Sequence, residues 1–587
     1  MTETMGGATA MGSTGGSSSA VASAAVASGH PISPNIASSS VVTPPAGSGN
    51  RGVERLLNQM PGLLRVVSPP TPPEPVAPPA PPLGPPPSGL PVAPANWFGY
   101  HVLNRITFGG TPSQLNLVSH MNAVQVREWG TRYLKEQLGL DPGQPWPSDL
   151  HSTNPLPSAI PIVDTDTDLL LISAKGTWKP DTPEPTVLKP ELNQIQDADL
   201  IRKLHSRRQL LEKMVYFWDN HFNTDYRSHF RGQYEIYEND AFRMRAFARF
   251  EELLIVSGKS SAMMVYLNTD VNKKENPNEN YAREVFELHT LGTDEQGRPN
   301  GYTQADIVEA AKTFTGWTTP EGVAPGFRFL PQRHSPGSKT VLGQTISFDG
   351  TGPGEGERVL RIAAAHPSTA RHLSRKLCEY FVSETPSASL VTEVASVFSD
   401  SGGDIRKVLI AIFTSPDFND VANYRGLVKT PLEFMVGLYR NLGVWSSRDP
   451  IRRRLTTAGQ GLYEMPPPTG YKEKSDHWLN THVLFHEVAT AYETTIPGFG
   501  STVRFGSDTS GGLTRLWLKE LGLRTEEEVL GFLLNLTTDR VASSTEYQVY
   551  LSTLRSGGVL NLDSAGSELP LDRTLATILA NPRYLYQ

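Results

Sequence analysis

The segment Asn276–Gly292, NPNENYAREVFELHTLG, holds the residues of this chain best spaced for chemistry. On a helical wheel Tyr281, Val285 and Leu288 share one apolar stripe, which predicts a helix over 279–291 packed inward along that line. Asn280, Glu284 and Glu287 fall within roughly 60° of one another at the margin of the stripe. Carboxylates held at the edge of a core require a cation, a metal ion or several hydrogen-bond donors. Asn280, Arg283, Glu284 and Glu287 are therefore read as a polar hub. Glu279 and Arg283 point outward as an i,i+4 surface pair.

Two histidines on other segments are candidates to join this hub. In FWDNHF (Phe217–Phe222), His221 lies on the flank shared with Leu210, Met214 and Phe217. The plainest expectation for it is a buried neutral ring bonded to a backbone carbonyl or a carboxylate. His334 sits in RHSPGSK beside Lys339. Imidazoles and carboxylates from separate elements can converge on one divalent ion. His221, His334, Glu284 and Glu287 are thus the candidate metal ligands, with Glu284, Glu287 and His221 the candidate catalytic groups. The competing expectation is a structural salt-bridge network.

The linker NTDVNKKENPNE offers a second cation site, since Asn268, Asp270, Asn272 and Glu279 occupy the oxygen-ligand positions of an EF-hand calcium loop. Lys273 stands where the sharp turn wants glycine, so an Asn/Pro-rich turn that caps the following helix is the alternative. No nucleophile elbow, phosphate-binding loop or dinucleotide fingerprint is present. The lone Cys378 excludes an intrachain disulfide and reads as a small buried apolar side chain.

The elements that must position these residues are helical. Periodic apolar spacing predicts helices from Trp97 to Gly139, including one long helix over 118–140, then Leu200–Trp218, Asn239–Ser257, Ser260–Leu267 and Thr303–Phe314. Thr303 with Asp306 three residues on is a capping box in acidic form. Phe327–Phe348 reads as a β-hairpin turning at SPGSK. Helical patterns return between Glu357 and Leu442 and again from Leu513 to Ala580, with 444–515 loop-rich. The fold class is all-α, a large multi-helical domain with a small β-hairpin excursion. Helix 279–291 is expected to meet FWDNHF, the Thr303–Phe314 helix and the loop around His334.

Composition sets the domain limits. Residues 1–50 are dominated by Gly, Ala, Ser and Thr, and 68–94 are proline-rich, with a short amphipathic stretch at Val53–Val67. Such segments bury too little apolar surface to offset ordering, so 1–95 is expected to be a disordered arm and 96–587 the helical domain, with a candidate sub-boundary in 444–515. Net charge is −7 and the densest basic spot is IRRR at Ile451–Arg454, which argues against nucleic acid as a partner. No run of 18 apolar residues is long enough to span a bilayer. The first residues lack the basic and apolar regions of a secretory signal.

The Asn276–Gly292 block, followed by YTQADIVEAAKTFTGW at Tyr302–Trp317, resembles the signature of the bacterial domain-of-unknown-function family 1800. HVLNRITFG (His101–Gly109), FWDNHF, RHSPGSKTVLG (Arg333–Gly343), HPSTARHLSRKLCEYFV (His366–Val382), DIRKVLIAIFTSPDF (Asp404–Phe418) and VKTPLEFMVG (Val428–Gly437) extend the resemblance over most of 97–587. It implies a mostly helical, usually exported bacterial protein, periplasmic or extracellular, and brings no catalytic residues. It also implies a partner encoded nearby, from an uncharacterised family numbered 1501 that resembles sulfatases. The expected function is binding or assembly at the envelope or exterior. The alternative is a metal-dependent hydrolase with a Glu/His site on helix 279–291 and a divalent metal ion as cofactor.

The arm reading has a direct test. Removing residues 1–95 should leave the urea midpoint unchanged, and limited proteolysis of the full chain should stop near Trp97. A truncation that aggregates or melts early would show that the arm contributes to the fold.

Overall fold

The helix Gln209–His221 is buried along almost its whole length. Its apolar residues Leu210, Leu211, Met214, Val215 and Trp218 follow helical spacing on more than one side, so it lies inside the helical assembly. Its polar residues must then find partners within the protein. Gln209 Oε1 accepts from Phe108 N at 3.1 Å and its amide donates to Ser206 O at 2.8 Å. Glu212 pairs with Arg243 at 2.9 Å. Lys213 pairs with Glu433, both side chains buried. Trp218 Nε1 donates to Ala246 O at 3.1 Å. These bonds tie the helix to Phe108, to the end of the Gly232–Arg245 helix and to Glu433.

The computed structural model describes residues 93–156, 192–322, 324–348, 352–444, 449–496 and 514–587. All of them lie within the unit Glu74–Gln587. Nearly all of the expected disordered arm, the Val53–Val67 stretch included, lies outside the described residues. What is described is helical, with two small antiparallel strand pairs. Aromatic rings fill the space beside the buried helix. Phe222 stacks on Phe242 and on Phe250 at 5.5 and 6.1 Å, and Trp218 lies 6.0 Å from Phe250.

Several helix limits differ from the periodicity, each for a local reason. The long helix expected over 118–140 is two, Pro112–Ser119 and Ala123–Gln137, because Asn122 and Gln125 form a capping box that starts the second. The helix expected over Leu200–Trp218 divides into Leu192–His205 and Gln209–His221. Ser206 Oγ accepts from Arg208 N there, offering the backbone a turn in place of helix. The region 444–515, expected to be loop-rich, carries the helices Asp449–Thr457 and Thr481–Thr495. Thr303 and Asp306 cap their helix as expected. The β excursion consists of Trp317–Thr318 with Arg328–Phe329, and Lys339–Val341 with Gln344–Ile346. The second pair turns at Leu342 and Gly343, both left-handed, and not at SPGSK.

The Lys213–Glu433 pair gives a stability test. Lys213→Ala leaves a buried carboxylate without its cation and should cost about 3–5 kcal/mol in urea unfolding. The double replacement Lys213→Met with Glu433→Leu removes both charges and should cost less than the single one. A single variant as stable as the parent would mean that Glu433 finds another partner.

Candidate functional site

The segment that looked most chemical is a structural joint. It is α-helical over Asn280–Glu284 and then widens into a π-helix at Val285–His289. The extra residue per turn shifts the inward register. Tyr281, Ala282, Val285, Phe286 and His289 are buried, and Leu288 of the expected stripe is only partly so. Glu279 and Arg283 pair at the surface at 3.0 Å, as their spacing predicts. Asn280 is exposed, and Glu284 and Glu287 are partly buried. Burial and then the neighbouring Glu287 push the Glu284 carboxyl up. The segment meets the Thr303–Phe314 region through Tyr281 and Phe314, rings 4.9 Å apart, and FWDNHF through Phe222 and His289, 5.2 Å apart. The His334 loop instead meets the preceding linker, where Lys274 N donates to Arg333 O at 2.8 Å.

The two histidines among the candidate metal ligands have separate partners. His221 is buried, its Nε2 3.0 Å from His289 O and its Nδ1 3.0 Å from Lys376 Nζ. A carbonyl only accepts and an ammonium only donates, so Nε2 carries the proton and Nδ1 accepts. Both ring nitrogens are thereby used, and the ring is the neutral, carbonyl-bonded histidine expected of a His on an apolar flank. Burial, then Lys376, His289 and His372, hold its pKa well below the ordinary value. His334 lies elsewhere, with Nδ1 2.7 Å from Thr315 O and Nε2 3.3 Å from Glu355, which Lys339 also pairs at 2.7 Å. The joint site of His221, His334, Glu284 and Glu287 is therefore not assembled. Among the described residues no group of three or more His, Cys, Asp or Glu side chains is arranged to hold a metal ion.

Of the calcium-loop candidates Asn268, Asp270, Asn272 and Glu279, two are turned to other partners. Asn272 is buried, donates to Ala311 O at 3.0 Å and accepts from Asn278 N at 2.8 Å, so it braces the loop from inside. Glu279 is turned to Arg283 and Gln304. The Asn/Pro-rich turn accounts for these contacts.

The polar groups that do come together lie on the other side of the FWDNHF helix. Tyr216, Asp219, Asn220 and Asn223, at i, i+3, i+4 and i+7, line a cavity of about 40 Å³. Asp199 from the Leu192–His205 helix, Glu235 and Glu238 from Gly232–Arg245, and Tyr463 and Tyr471 complete its wall together with Thr224 and Leu462. The segment MPPPTGY (Met465–Tyr471) is fastened across it by two asparagines. Asn223 donates to Met465 O and Pro467 O, both at 2.9 Å. Asn220 donates to Tyr471 O at 2.8 Å and accepts from Tyr471 N at 2.6 Å. Gly470, at φ +69°, lets the segment approach this closely, since a Cβ there would sit 2.2 Å from Asn220 O.

Four carboxyl groups meet at this wall, and two of them have a basic side chain beside them. Asp199 pairs with Lys203 at 2.5 Å, and Glu235 with His229 at 3.0 Å. Asp219 accepts from the Asn239 amide at 2.5 Å. Asn239 Oδ1 in turn accepts from Arg202 at 3.1 Å and Arg243 at 2.6 Å, so two guanidinium groups polarise the amide that holds Asp219. Burial, then Asp199, pushes the Asp219 carboxyl up to about 8, against the pull of Lys203, Arg243 and the Asn239 bond. Glu238 is 3% exposed and is raised well above the ordinary value by burial and by Glu235. Its Oε2 lies 3.4 Å from Thr224 Oγ1, and its Oε1 has no hydrogen-bond partner. Such a site can hold a proton near neutral pH or accept hydrogen bonds from a small donor. The i, i+3, i+4, i+7 run of polar residues from Tyr216 was the legible signal, and it is missed when only apolar spacing is counted.

A family model described as "Protein of unknown function (DUF1800)" matches residues 101–586. No curated protein and no solved structure matches the chain.

The histidines behind the aromatic wall make stability depend on acid. His289 is buried with neither ring nitrogen bonded, and burial, then Lys376 and His372, push it down to about 3. The unfolded chain binds a proton there near pH 6.5 and the folded chain does not, so this contribution is present above that pH and is lost as pH falls towards 3. Relative to His289→Leu, the parent should lose about 1.4 kcal/mol per pH unit in the middle of that window. Parallel urea-unfolding curves at each pH would show instead that His289 is protonated in the fold.

Proposed function

The chain belongs to the DUF1800 family, and we propose that it is a binding protein of the bacterial envelope or exterior whose small polar ligand seats in the cavity beside FWDNHF. The observation that carries this reading is the Glu238 Oε1 atom, buried at the wall of that cavity without a donor. A buried unsatisfied acceptor costs about 1–3 kcal/mol, and a charged one more. Packing alone gives no reason to keep carboxyl groups at such a cost where apolar side chains of similar volume would fold as well or better. A ligand that donates hydrogen bonds offsets the cost when it arrives.

The envelope or exterior location is supported by the family resemblance and by the proline-rich composition of 68–94, which suits a semi-rigid spacer. A sulfatase-like partner is supported by the resemblance alone. Support for metal-dependent hydrolysis is thinner, because His221 and His334 use their ring nitrogens on separate partners.

Thermal-shift screening of the full chain against small hydrogen-bond donors, neutral amides, polyols and amines among them, tests the reading. A true ligand at a hundredfold over its Kd should stabilise the parent by about 2.7 kcal/mol. Glu238→Gln and Asp219→Asn should remove most of that gain while remaining folded. The cavity is not the binding site if no donor moves the parent, or if both variants respond as strongly as the parent does.

A further inference from the structure

Resting on the binding reading above, we infer that the cavity takes the terminal ammonium group of an alkylamine, seated between Asp219 and Glu238. The charge balance of the wall is the first reason. Lys203 answers Asp199 and His229 answers Glu235, but among the described residues no salt bridge reaches Asp219 or Glu238. Asp219 meets a neutral amide, and Glu238 meets the hydroxyls of Ser260 and Thr224, the second of which lies nearer Glu235, while Glu238 Oε1 has no hydrogen-bond partner. The carboxylate forms of these two groups would be answered by a cationic donor.

Size and distance choose among cations. A cavity of about 40 Å³ holds two to four water-sized atoms at roughly 10–15 Å³ each. That suits a nitrogen with one or two carbons, which is a free short amine or the tip of a longer one. A divalent metal ion draws oxygen ligands to about 2.0–2.6 Å, which requires carboxylates that converge. No three ionisable side chains in the described residues do so. An ammonium group bonds its acceptors at about 2.7–2.9 Å and spreads three donors, so it spans a wider set of oxygens. Tyr216, Tyr463 and Tyr471 add aromatic side chains to the wall, and a ring face attracts a cation more than a neutral donor.

Calorimetric titration of the full chain with ethylammonium, 1,5-diaminopentane, acetamide, potassium and magnesium ions, each as chloride where charged, tests this. At about pH 8.5 the amines remain charged, and Asp219, held near 8, is largely ionised. The amines should bind, acetamide, potassium and magnesium should not, and Asp219→Asn or Glu238→Gln should each weaken the amines about ten- to a hundredfold. Equal affinity for the two amines means that the tip alone is read, and tighter binding of the longer one means that a larger molecule presents it. Binding of acetamide without the amines overturns the inference and leaves the binding reading standing. No binding by any of these compounds, nor by the wider set of donors, overturns both. Circular dichroism checks each variant, and if Glu238→Gln does not fold, Asp219→Asn carries the comparison.

Discussion

A helix enclosed on nearly every side can carry polar residues only if each is answered from another element, and Gln209–His221 is enclosed in this way. Gln209, Glu212, Lys213, Trp218, Asn220 and His221 reach respectively towards the end of the first helix, Arg243, Glu433, Ala246, Tyr471 and the His289–Lys376 pair. These bonds are directional, so they set the rotation of the helix about its axis as well as its place. Apolar packing alone would tolerate a slip of one neighbour against another. The two faces that matter follow from that fixed rotation. Phe217 and His221 turn towards the aromatic and histidine wall, while Tyr216, Asp219, Asn220 and Asn223 turn towards the cavity.

The same constraint explains why Asn276–Gly292 misleads as a hub. Its carboxylates are partly exposed, so water and Arg283 can answer them without any special site. Its deeply buried ionisable side chains are Tyr281 and His289, the second carried inward by the π-turn. A wheel drawn at the α-helical period cannot foresee that turn, because one extra residue rotates everything after Glu284 by about 100°. Tyr281 and Val285, which precede or begin the turn, were placed correctly, and Leu288, which follows the shift, was not.

Legibility in the sequence tracks the distance over which the deciding interaction acts. Caps such as Thr303 with Asp306 and pairs such as Glu279 with Arg283 are settled within one turn and could be read directly. The helical class follows from the same local periodicity. The cavity gathers Asp199, Asp219, Glu238 and Tyr471 from segments far apart in the chain, and nothing local at any one of them signals the others. The splits at Asn122 and Ser206 fall between these cases. Their capping chemistry is local, but it competes with an apolar pattern that runs straight through it.

A carboxyl group held protonated near neutrality is also what a general acid needs, so the wall chemistry alone does not separate recognition from turnover. The Met465–Tyr471 segment bears on both, since Tyr471 lines the cavity and Asn220 and Asn223 fasten the segment beside it. Opening that segment would break the bonds of Asn220 and Asn223, and Asn220 also donates to Glu473 at 2.8 Å. Burial and the nearby Glu433 carboxylate push Glu473 up to about 8, and Glu433 is the partner of Lys213 on the central helix. A group that displaced this segment would have to offset the bonds of Asn220 and Asn223 with contacts of its own.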